Sequence, residues 1–121
     1  MANPSTTGPS GIGSEVLRRS HVIGTNDGTA TLITVGTDMI VTLLSLVYTN
    51  TADESGQNLE IQVAPDGSGI CYLYKGMAAI EPYETFVFSD KIVLTEGDVL
   101  KVISDSGDFD VYFSYIEQEF A

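Results

Sequence analysis

Residues 38–50 read Asp-Met-Ile-Val-Thr-Leu-Leu-Ser-Leu-Val-Tyr-Thr-Asn, and this stretch decides the fold. Its apolar run is too short to cross a bilayer, which takes about 20 residues, and it holds the β-branched Ile40, Val41, Thr42 and Val47. The run predicts a long central β-strand covered on both faces, because a strand without a wet side needs no polar alternation. Asp38 at one end and Thr49-Asn50-Thr51 at the other break it.

On either side the pattern changes to alternation with a period of two. Residues 58–64 place Leu59, Ile61 and Val63 on one face, and residues 70–75 set Ile70, Tyr72 and Tyr74 against Cys71, Leu73 and Lys75. Residues 83–89, 92–94, 98–104 and 109–118 are also β in composition, as are 16–24 and 29–34 upstream. The segment 77–82 is ambiguous, and Pro82 ends it. Turn signals stand between these runs at Asn26-Asp27-Gly28, Pro65-Asp66-Gly67-Ser68-Gly69, Thr95-Glu96-Gly97 and Asp105-Ser106-Gly107-Asp108, the last read as a hairpin turn. Gly97 suits a positive-φ turn position, and Asp98 is placed to accept hydrogen bonds from backbone amides. With no helical period over a useful length, the expectation is all-β: one β-sandwich, jelly-roll-like, of about eight strands in two four-stranded sheets.

The 121 residues and 13.0 kDa correspond to one domain. Residues 1–14, with Pro4 and Pro9 among Gly, Ser and Thr, read as a flexible arm, either a loose terminus or a segment that orders against a neighbouring subunit. Residues 15–121 form the sandwich. Seventeen acidic residues against five basic ones leave a net charge of −12, which repels phosphate backbones and anionic lipid. Nucleic acid and membrane are therefore not expected partners. The N-terminus has neither the basic start nor the apolar core of a signal peptide.

Two of the five basic residues, Arg18 and Arg19, sit side by side in the first strand on opposite faces. They either keep a solvated edge strand from aggregating or pair with an acidic partner chain. The chain has one histidine, His21, and no nucleophile-elbow, zinc or phosphate-loop spacing. Cys71, the lone cysteine, has no basic neighbour and reads as a buried, inert thiol. The carboxylates around residues 96–110 miss the calcium-loop spacing. No cofactor and no enzymatic activity are expected. The six tyrosines are expected mostly in the core or in cross-strand pairs, with a tyrosine platform for glycan as the alternative.

Four segments carry a family resemblance: Glu15-Val-Leu-Arg-Arg-Ser, Thr42-Leu-Leu-Ser-Leu-Val-Tyr-Thr-Asn, Tyr83-Glu-Thr-Phe-Val-Phe-Ser-Asp-Lys-Ile-Val-Leu-Thr-Glu-Gly-Asp-Val-Leu-Lys-Val and Val111-Tyr-Phe-Ser-Tyr-Ile-Glu-Gln. Over residues 15–118 the chain resembles the small β-sandwich virion proteins of tailed bacteriophages. The resemblance implies a bacteriophage virion structural protein, made in the bacterial cytoplasm and present in many copies. Its leading role would be head decoration or cementing, with a tail or neck component next and glycan recognition on the virion as the other class. The implied partners are further copies of itself, a trimer before a dimer, and the major capsid protein or another virion protein. Arg18, Arg19 and the arm residues Pro4 and Pro9 are the candidate interface residues.

Overall fold

A computed structural model describes residues 14–25, 28–52, 56–76, 79–104 and 108–120. Among these described residues nine strands follow in order: β1 (Glu15–Thr25), β2 (Thr29–Thr34), β3 (Met39–Asn50), β4 (Leu59–Ala64), β5 (Cys71–Lys75), β6 (Thr85–Phe88), β7 (Ile92–Leu94), β8 (Val99–Ser104) and β9 (Phe109–Glu119). One sheet runs β1-β9-β3-β6, with β7 also on β3, and the other runs β2-β8-β4-β5. All pairings are antiparallel.

The topology follows from folding the chain once and rolling it up. A tight turn at Pro65–Gly67 forms the tip, with Asp66 at φ 52° and Gly67 at φ 80°. Behind that tip β4 pairs β5, β3 pairs β6 and β7, β2 pairs β8, and β1 pairs β9, so the chain is one long hairpin. Rolling it adds the pairings β3·β9 and β4·β8 and closes two sheets over one core. This is a jelly roll.

Among the described residues there are nine strands and not eight, and β6 and β7 lie end to end in one lane beside β3, opposite its two halves. The sheets are accordingly five- and four-stranded. Residues 105–107 lie outside the description, but β8 and β9 belong to different sheets, so their connection crosses the sandwich and is no hairpin turn. Asn26 and Asp27, between β1 and β2, also lie outside the described residues, as do Met77 and Ala78 of the ambiguous segment. That segment's Ile80 makes a single bridge to Gln57.

Between the sheets sit Val41, Leu43, Leu46 and Tyr48 of β3, Leu59 and Ile61 of β4, Leu100 and Val102 of β8, and Phe109, Val111 and Phe113 of β9. Each such aliphatic side chain stabilises the fold by about 1.5–3 kcal/mol relative to exposure. A polar chain closes one end of this core. The Tyr48 hydroxyl donates to Ser104 Oγ at 2.9 Å, because the Ser104 proton is given to Gln57 Oε1 at 2.7 Å. Beside it the buried Asn50 donates from Nδ2 to the Ile80 carbonyl and accepts the Ala52 amide on Oδ1.

The turn before β8 is built as its sequence predicts. Gly97 has φ 87°, and the Asp98 carboxylate accepts the Thr95 amide at 2.9 Å and the Asp66 amide at 3.1 Å, tying this turn to the hairpin tip. A Cβ at Gly97 would stand 3.3 Å from Asp66 Cα in addition to the backbone strain. Gly97→Ala is therefore expected to cost about 1–2 kcal/mol, read as a lower urea midpoint.

Candidate functional site

The reading of β3 as covered on both faces fails on one side. Val41, Leu43, Leu46, Tyr48 and Asn50 are sealed against the other sheet, while Ile40, Thr42, Leu44, Ser45, Val47 and Thr49 are only half-buried, with no layer of the described residues over them. The apolar run is continuous because the outer face of this sheet is itself apolar.

Register shows how far that face extends. Tyr112 of β9 lies beside Val47 of β3, which lies beside Val87 of β6; Ile116 lies between Leu17 and Thr42, and Thr42 lies beside Val93 of β7. Between these rows the register of β3 shifts at Leu44, a β-bulge that adds one more apolar side chain. Leu17 is 46% exposed, Ile23 73%, Val87 55%, Val93 62% and Tyr112 51%. These five alone present on the order of 500 Å² of largely apolar surface, at the upper end of what a monomer leaves to water. Two shallow hollows lie in it, one of about 580 Å³ over Leu17, Arg19, Leu44 and Ser114, the other of about 380 Å³ over His21, Ile23, Val47 and Tyr112.

The opposite outer face is built differently. Thr29, Thr31 and Thr34 of β2, Lys101 of β8, Glu60 of β4 and Lys75 of β5 stand outward there, with the buried Gln62, the half-buried Val99 and Ile103 and the exposed Tyr72 among them. It is a mixed, mostly polar sheet face. Within one domain, then, one outer face is mostly polar and the other largely apolar.

Arg18 and Arg19 fall on opposite faces, as their adjacency requires. Arg18 Nε makes a 3.1 Å ion pair with Glu117 Oε1 on the core side of the β1·β9 ladder. Arg19 stands on the apolar outer face, its guanidinium 5.8 Å from the centre of the Tyr112 ring and 3.5 Å from His21 Nδ1. Pro4 and Pro9 lie outside the described residues. Beside Arg18, Tyr115 is held above the ordinary phenol range, chiefly by burial and then by the Glu117 carboxylate, with Arg18 opposing. Since the folded protein favours the neutral phenol, this stabilisation is complete below about pH 10 and is lost as pH rises through the elevated folded value. Tyr115→Phe is expected to remove that part of the alkaline loss, measured as urea midpoints on either side of this pH.

Cys71 is exposed and not buried, because β5 is the edge of its sheet and only Leu73 and Tyr74 of its residues turn toward the core. A register shift opposite Ile61 and Gln62 also breaks the expected alternation in β5. Tyr74 turns inward onto Phe86, with ring centres 4.4 Å apart, whereas Tyr72 turns outward beneath Lys75. The exposed Tyr72 and Tyr112 thus lie on opposite sides of the sandwich and form no shared platform. Among the described residues no group of three or more His, Cys, Asp or Glu side chains converges as a metal site.

The sequence matches no family model and no curated protein. Solved structures do show similarity. One is a pentameric capsid protein isolated from metagenomic phage sequences, at TM-score 0.44 and 17% identity over 85% of this chain and 59% of the other. A second structure of a pentameric capsid protein from such sequences, phased with iodide, gives the same TM-score and identity, with 61% of that chain covered. A structure of infectious bursal disease virus, Gx strain, follows at TM-score 0.42 and 12% identity over 88% of this chain and 29% of that one. The chain spans about three-fifths of the length of the two phage proteins.

Proposed function

We propose that this protein is a bacteriophage virion structural subunit, a head decoration or cement protein that docks on the assembled capsid through the outer face of its five-stranded sheet. The observation that carries the proposal is the difference between the two outer faces: one is mostly polar, with threonines, lysines and a glutamate among a few apolar residues, and the other exposes Leu17, Ile23, Val87, Val93 and Tyr112 around the cation Arg19. A free subunit with net charge −12 stays dispersed at high copy number. Covering this face on a shell then removes apolar surface from water.

The resemblance of residues 15–118 to small phage sandwich proteins supports the same reading. In the test, purified protein is added to capsid shells that lack it, and its binding and the shells' disruption temperature are measured. Saturable binding to shells with a higher disruption temperature is expected, and no binding to unassembled coat protein. Shells unchanged by the protein would overturn the cementing role.

A further inference from the structure

β1 is the edge of the five-stranded sheet: among the described residues it pairs β9 on one side and no strand on the other. Its free backbone groups can be assigned. The Glu119 amide donates to the Ser14 carbonyl at 3.2 Å, and the register continues as Glu15↔Gln118, Val16↔Glu117 and Leu17↔Ile116. In an antiparallel ladder, residues alternate between turning both N–H and C=O toward the neighbour and turning both away. Even-numbered residues of β1 therefore bond β9, while Glu15, Leu17, Arg19 and His21 aim their N–H and C=O at the open edge. The same four put their side chains on the apolar outer face.

We infer that a second copy of this chain occupies that edge, β1 against β1 in antiparallel sense about a two-fold axis at Leu17. Charge selects this register. Centred on Leu17, the pairing sets Leu17 opposite Leu17 and places Glu15 of each copy opposite Arg19 of the other, twice by symmetry, on the outer face. Centring on Arg18 or on Arg19 would oppose like charges at the axis, and centring on Val16 leaves Arg19 without a carboxylate. Among the described residues neither the Glu15 carboxylate nor the Arg19 guanidinium makes an ion pair within its own chain. Residues 15–19 of the two copies then exchange about six backbone hydrogen bonds, two for each outward-facing pair.

The joined sheets bring both apolar outer faces to the same side, so the dimer presents a doubled docking surface. The contact is isologous and closed, which limits growth to two copies. It stands independently of the virion reading, because it forms in the isolated protein, whereas shell binding is measured separately.

Light scattering across micromolar concentrations is expected to show a reversible species of twice 13.0 kDa. Arg19→Glu opposes two carboxylate pairs and should weaken the dimer at least about tenfold. The double exchange Glu15→Arg with Arg19→Glu should restore it. In the native protein, amide exchange at Leu17 and Arg19 should be slow when the protein is concentrated and faster on dilution. A monomer at every concentration, the trimer that the resemblance implies, a dimer indifferent to Arg19→Glu, or a double exchange that leaves the dimer weak would each overturn the proposal. Should Arg19→Glu fail to fold, amide exchange in the native protein decides alone.

Discussion

Phe109→Ala is expected to lower stability by about 3–5 kcal/mol, the range for truncating a buried aromatic without collapse of the site. The ring is fully buried and stacks on Tyr48 with centroids 5.4 Å apart. Phe109 opens β9 where the chain has just crossed from one sheet to the other, and it pairs with Asn50 at the end of β3. Its loss leaves a void under Tyr48 and loosens the ring whose hydroxyl feeds the Ser104–Gln57 hydrogen-bond chain. Against a total of about 5–15 kcal/mol for a domain, that is a large share. Urea unfolding should show a lower midpoint at an unchanged slope. Phe120→Ala is the comparison, because that ring is 49% exposed and its removal should change little.

The second large effect is on docking and not on stability. Val87→Lys and Val93→Lys each place an ammonium group on the apolar outer face, at side chains that are more than half exposed in the free protein. Surface changes of this kind shift stability by about 0.5 kcal/mol or less. In a covered interface, however, the same group must be stripped of water without a partner, and a loss of about 3 kcal/mol, or more than a hundredfold in affinity for shells, is expected. Lys101→Val, on the polar outer face of the other sheet, should leave shell binding as it was. Equal losses from all three variants would mean that the protein docks by some other surface.

Particular residues show what was legible in the sequence. Leu59, Ile61 and Val63, like Leu100 and Val102, alternate with polar neighbours, so their strands and inward faces follow from a period of two. Gly97-Asp98 gave its turn away because positive φ and amide capping demand those residue types. The pairing of β1 with β9 joins chain ends about a hundred residues apart, and nothing local encodes it.

Bulges were equally hidden. One at Leu44 allows Leu43 and Leu46 both to face the core, and one in β5 sends Tyr72 and Tyr74 to opposite faces. The apolar outer face was missed for a related reason. Its signal lay in the unbroken apolar runs Val22-Ile23, Phe86-Val87-Phe88 and Ile92-Val93-Leu94, which look like buried strands until the topology places all three beside β3 and β9 in one sheet. Arg18 and Arg19, chosen as a pair, do different things: one closes the β1·β9 ladder through Glu117, and the other marks the open edge.

The proposed docking rests on the apolar outer face of the five-stranded sheet meeting the capsid. Its most direct test is the disruption temperature of shells lacking the protein, measured after adding the native chain or Val93→Lys, with both confirmed as equally folded. A rise is expected with the native chain and none with the variant. A rise of equal size with both would contradict that docking.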